Sequence, residues 1–108
     1  MQVTVARTAT ADEIRLEGRL DARAAGEVRD TLHAVLDAGS GRLVVDLSGL
    51  ELLDATGLGV LVGAHRRARL AGRDLVLRGA PARVARLLRL ARLDRVITLE
   101  PASHPVPA

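Results

Sequence analysis

The sequence predicts a single α/β domain: a mixed, mostly parallel sheet of four to five strands packed with about three helices. Three features predict it. Glu13 to Leu20 alternates polar and apolar residues, as a strand with one buried face does. Arg42 to Leu47 carries an apolar run with no alternation, the pattern of a strand covered on both faces. Between such runs, apolar residues recur at steps of three and four, the period of a helix. Two buried strands joined by a helix form a parallel crossover, and the element order β-β-α-β-α-β-α-β follows.

Val3 and Val5 mark a short first strand, and Thr8 to Asp12 the turn of a hairpin into the second, in which Ile14, Leu16, Gly18 and Leu20 share one side. Asp21 is placed to cap the first helix, whose inward stripe is Ala25, Val28, Leu32, Val35 and Leu36. Gly26 weakens its middle by about 1 kcal/mol relative to alanine, and Gly39-Ser40-Gly41 stops it. After the Arg42 to Leu47 strand, a polar-punctuated loop carries Leu52 and Leu53. A second helix is expected from Thr56 to Ala71, with Leu58, Leu61, Val62, His65 and Ala68 at helical spacing and Gly72 as its stop. Leu75-Val76-Leu77 is the next buried strand. Pro81 suits the first turn of a third helix with Val84, Leu87, Leu88 and Ala91 inward, and Val96 to Leu99 is a last strand. The domain spans 1–100; Pro101, Pro105 and Pro107 mark 101–108 as a proline-rich disordered tail.

Composition narrows the function classes. A chain of 108 residues can hide roughly two thirds of its unfolded surface. There is no Phe, Trp or Tyr, so the core is aliphatic and no aromatic platform for bases or sugars exists. The lack of cysteine removes disulfides, thiolate catalysis and cysteine zinc sites. His33, His65 and His104 are too scattered to read as a metal site, and no cofactor is expected. All 16 basic residues are arginine, yet the net charge is only +3, modest for a nucleic-acid binder. Arg83, Arg86, Arg89, Arg92 and Arg95 recur every third residue, which on a helix wraps the exposed side as solvated surface. No apolar run has membrane-spanning length and no leader pattern opens the chain, so neither membrane insertion nor export is expected and the location is cytoplasmic.

The most informative stretch is Asp54-Ala55-Thr56-Gly57-Leu58-Gly59, which brings an acid, a hydroxyl and two glycines to a helix start. Unpaired N–H groups and a partial positive charge there suit phosphate or a partner's polar group. With Asp46-Leu47 upstream, Gly18-Arg19-Leu20-Asp21 before it and Leu93-Asp94-Arg95-Val96-Ile97 after it, this stretch resembles the STAS family of anti-sigma factor antagonists. Their motif is Asp-Ser-(Ser/Thr)-Gly-Leu-Gly, with the serine after Asp phosphorylated. The resemblance implies no catalysis by this chain. It implies binding to an anti-sigma factor of the serine-kinase type, which itself holds ATP and magnesium, and release of a sigma factor for transcription. The binding surface it implies is Asp54, Ala55, Thr56, Gly57, Leu58 and Gly59, flanked by Asp21 and the loop around Ser48 and Gly49.

Ala55 stands where the family carries its serine. Two readings stay open: an antagonist that cannot be switched off, or a domain that kept the fold as a non-phosphorylated subunit of a larger assembly, such as a lipid-transport complex or a stress-signalling scaffold. Thr56 is either a second cap, satisfying N–H groups of Leu58 or Gly59, or a phosphoacceptor displaced by one residue and so rotated about 100° around the helix. Gly57, Gly59 and Gly63 either pack closely on the protein's own elements or, for Gly59 and Gly63 with Val60, form a flat patch for a partner. In similar domains a glycine precedes Leu93-Asp94; Arg92 stands there here, at a cost of roughly 1 kcal/mol if the turn keeps a left-handed residue.

Overall fold

The structure, a computed structural model, describes residues 1–8 and 10–102. Its elements are β1 (Gln2–Arg7), β2 (Ala11–Leu20), α1 (Ala22–Ala38), β3 (Arg42–Leu53), α2 (Ala55–Leu70), β4 (Asp74–Arg78), α3 (Ala82–Leu90), a 3-10 turn (Leu93–Arg95) and β5 (Thr98–Glu100). The five strands form one sheet in chain order, β1 antiparallel to β2 and the rest parallel. The hairpin turn is shorter than expected because β2 already begins at Ala11. Residue 9 of that turn, and 103–108 of the expected tail, lie outside the described residues.

The pleat divides the sheet into two unlike faces. Ile14 and Leu16 of β2, Leu43, Val45 and Leu47 of β3, and Leu75 and Leu77 of β4 point one way. There they share a core with Val28, Leu32 and Leu36 of α1, Leu61, Ala64 and Ala68 of α2, and Val84 and Leu88 of α3. The other face carries Glu13, Arg15, Asp46, Arg78 and Glu100 by register. Val44 and Val76 lie on that second face, yet only 3% and 4% of each is exposed. Ion pairs cover them: Arg78 reaches Glu13 across β3 at 3.8 Å and Glu100 at 3.5 Å, and Arg42 reaches Glu100 across β4. The missing alternation in β3 is thus satisfied by arginine stems, which bury their methylenes while their heads pair.

The largest departure from expectation is the polar-punctuated loop before α2. That segment is strand: β3 continues to Leu53, paired with β2 through Glu17↔Gly49 and Leu20↔Leu53, with one extra β3 residue opposite the Arg15–Glu17 step and another opposite the Gly18–Arg19 step. These bulges rotate Leu50 back into the core after exposed Ser48, which disguises the strand period in the sequence. The α2 stripe is also displaced: the buried residues are Gly57, Leu61, Ala64 and Ala68, while Leu58, Val62 and His65 are half-buried beside them. Val84 and Leu88 of α3 are buried as expected, but Leu87 is half-buried and Ala91 exposed. The last strand starts later, at Thr98, because Val96 lies in the turn and is 57% exposed.

Candidate functional site at the start of the second helix

β2 and β3 run parallel and end side by side, so the helices that follow them begin together. Asp21 caps α1, its carboxylate accepting from the amides of Arg23 (3.1 Å) and Ala24 (3.2 Å). Asp54 caps α2 by accepting from the Gly57 amide at 2.8 Å, while its own N–H donates to the Leu20 carbonyl at 3.3 Å. That last bond ties the start of α2 to the end of β2. The Leu58 amide is taken by the Asp54 carbonyl at 2.9 Å, so Thr56 is not the second cap the sequence allowed. Ala55 and Thr56 are the first and second residues of the helix, and both are exposed.

The glycines separate by environment. A Cβ on Gly57 would stand 2.3 Å from the Leu20 carbonyl oxygen and 2.9 Å from a Leu53 methyl, so only glycine lets α2 sit down on the strand ends. A Cβ on Gly59 or Gly63 would meet nothing within 4 Å. Packing within the chain therefore does not account for those two, and the close-packing reading holds at Gly57 alone.

Thr56, Gly59, Val60 and Gly63 line a shallow groove of about 450 Å³ between α1 and α2. Its other wall is Ala25, Arg29 and His33 of α1, and Arg66, Arg67 and Leu70 continue it toward the end of α2. Sequence reasoning missed that wall, although Ala25, Arg29 and His33 fall four residues apart and so form one row along α1. Leu70, 90% exposed, is the plainest sign. Arg67 also ties the two helices: its Nε and NH2 groups donate to Asp37 at 2.9 and 2.6 Å. That bond holds the Asp37 carboxyl below its ordinary range. Burial lowers the His65 pKa, and the nearby Arg69 charge adds to the effect.

Asp21 opens onto a separate depression with Arg19, Arg23, Glu27 and Glu51. Ser48 and Gly49 do not flank the helix start from a loop. They lie within β3, where the Ser48 amide bonds the Asp46 carboxylate at 2.9 Å and Gly49 is paired with Glu17. Leu58 is half-buried against the core.

The family model described as "Mlab, STAS domain" matches residues 3–100. The chain belongs to the STAS-domain family. This STAS domain is 33% identical over 88 residues to the anti-sigma-B factor antagonist of Listeria monocytogenes, covering 82% of the chain and 77% of that protein. The fold is also that of a Thermotoga maritima protein described as a candidate anti-sigma factor antagonist (TM-score 0.84, 21% identity, 91% of this chain and 85% of that one). Bacillus SpoIIAA, solved unphosphorylated and phosphorylated, superposes with TM-scores of 0.78 and 0.74. The identities are 22% and 20%, over 95% of this chain and 90% and 93% of theirs.

Proposed function

We propose that this STAS domain is an anti-sigma factor antagonist, which binds an anti-sigma factor and so frees a sigma factor for transcription. The observation that carries the reading is the identity shared with the Listeria antagonist along most of both chains. The helix start supports it: exposed Ala55, Thr56 and Gly59 stand on a turn fixed by Asp54 and Gly57, with open space over Gly59 and Gly63 into which a partner's backbone fits. Asp54, Ala55, Thr56, Gly57, Leu58, Gly59, Val60 and Gly63 form the contact in this reading, with Asp21 at its edge and Ser48 and Gly49 farther along β3. The partner is of the serine-kinase type and brings its own ATP and magnesium, the STAS domain catalyses nothing, and the encounter takes place in the cytoplasm over about 1,600 Å².

Regulation is where this chain differs. A phosphate needs a hydroxyl, and Ala55 has none. Thr56 is exposed, but about 100° farther round the helix, out of line for a kinase aimed at the preceding position. The antagonist therefore stays competent to bind. The same alanine favours a second reading, a permanent subunit of a larger assembly such as a lipid-transport complex or a stress-signalling scaffold.

Affinity capture from the native cell extract, with and without Mg-ATP, followed by intact-mass analysis of the bait, separates these. A small kinase-like anti-sigma factor recovered with unmodified bait is the expected result. A phosphate on Thr56 would overturn the unswitched reading and keep the antagonist, whereas a transporter or scaffold subunit in its place would overturn the antagonist. On recovery of the partner, Thr56→Asp is expected to weaken binding at least tenfold; equal binding would remove the helix start from the interface.

A further inference from the structure

The proposed contact at α2 leaves a second cluster of positive charge unused. Five arginines, Arg83, Arg86, Arg89, Arg92 and Arg95, lie within α3 and the turn after it, all exposed. Among the described residues no carboxylate pairs with any of them; the ion pairs engage Arg15, Arg19, Arg29, Arg42, Arg67, Arg73 and Arg78 instead. With Val84 and Leu88 turned into the core, helical geometry spreads Arg89, Arg86 and Arg83 over an arc of about 120° on the outer side of α3. Leu90 falls inside that arc, between Arg86 and Arg83, and is 72% exposed; Val96, after the turn, is 57% exposed.

A second observation comes from the backbone. Arg92 is the only non-glycine residue with positive φ among the described residues, at φ 61° and ψ 23°. Glycine adopts this conformation freely and arginine does not. The chain thus keeps a cation at a position where its backbone disfavours any side chain, and strain of that kind points to use.

We propose that this face of α3 docks on a surface of anionic phospholipid headgroups. The cations meet the phosphates, and Leu90 and Val96 enter the shallow apolar boundary beneath them. Exposed aliphatic side chains set among unpaired arginines are what distinguishes this occupant. A duplex phosphate backbone takes the cations but offers no place for the leucine. Docking of this kind lies flat on the bilayer and needs no spanning segment; no helix of the described residues is long and apolar enough to cross a membrane.

Co-sedimentation of the whole chain with phosphatidylglycerol–phosphatidylcholine vesicles, compared with vesicles of phosphatidylcholine alone, tests this. Adsorption to the anionic vesicles only, weakened by salt, is expected. Each arginine contributes about fivefold, so Arg83→Gln/Arg86→Gln/Arg89→Gln is expected to lower partitioning on the order of 100-fold. The matching triple lysine variant retains most of it, and Leu90→Ser lowers it with the charge intact. Circular dichroism checks that the variants stay folded, which exposed positions favour. Arg92→Gly gives an independent arm: it raises the melting temperature while weakening adsorption. Equal partitioning to both vesicles, full binding by the folded glutamine variant, or tighter binding to random duplex DNA than to anionic vesicles at the same salt would each overturn the proposal.

Discussion

Three glycines of α2 look alike in the sequence and differ in space. At Gly57 a methyl would collide with the Leu20 carbonyl, so the helix would have to lift off the end of β2. Gly57→Ala is expected to cost about 1–3 kcal/mol, as overpacking does, in a urea titration. Gly59→Ala meets open space inside a helix and is expected to stabilise by up to about 1 kcal/mol, while the added methyl weakens partner binding. A stabilised Gly59→Ala protein that binds its partner undiminished would take Gly59 out of the contact. The sequence made the Asp54 cap legible, because an acid just ahead of an apolar helical period has one favourable task. It did not separate Gly57 from Gly59, since the distinction depends on the carbonyl of a residue 37 positions earlier.

At the scale of elements, the joint between α1, β2 and the α2–β4 turn rests on Arg73, which the periodicities do not mark. Its side chain is 1% exposed and spends its donors on five acceptors. Nε donates to the Gly41 carbonyl at 3.0 Å, one terminal nitrogen to Val35 and Leu36 at 2.9 and 3.2 Å, and the other to Asp12 at 2.9 Å and Ser40 at 3.2 Å. The last carbonyls of α1 thus receive donors from 37 and 38 residues away. Arg73→Met keeps the bulk but strands the Asp12 carboxylate and those carbonyls in the interior. A loss of about 3–5 kcal/mol is expected, read as a lower denaturation midpoint, and Arg73→Met/Asp12→Asn is expected to recover part of it. The Asp37–Arg67 tie between α1 and α2 makes a pH prediction. Asp37 is held below its ordinary 3.8, so its contribution is complete above that value and disappears as pH falls through the lower folded value. Asp37→Asn is therefore expected to flatten the acid limb of the stability–pH curve below pH 3.8 and to leave its shape near neutrality unchanged.

For the molecule as a whole, the sheet is asymmetric: helices and aliphatic side chains on one face, paired arginines and glutamates on the other. Arg78→Ala removes the stem that spans Val44 and Val76 as well as two ion pairs, whereas Arg78→Met keeps a stem. The alanine variant is expected to lose roughly 1 kcal/mol more than the methionine variant in the same urea titration; equal losses would assign the effect to charge. Fold class, the order of elements along the chain and most helix positions were legible because they follow from burial periods set within each segment. The continuation of β3 through Leu53 was not, because two extra residues within β3, opposite Arg15–Glu17 and Gly18–Arg19, break its alternation. The α1 wall of the groove was missed for a similar reason: a period tells which residues face the core, not which outward faces of two helices stand opposite each other.

That strands lie in the sheet in the order in which they occur in the chain has a consequence for synthesis. A ribosome releases β2, α1 and β3 before β4 exists, and each later strand finds a finished edge waiting beside the one just laid down. Assembly can proceed as the chain emerges, with little search among distant partners. Two latches wait for later residues: Asp12 stays unpaired until Arg73 emerges, and Arg42 until Glu100 does.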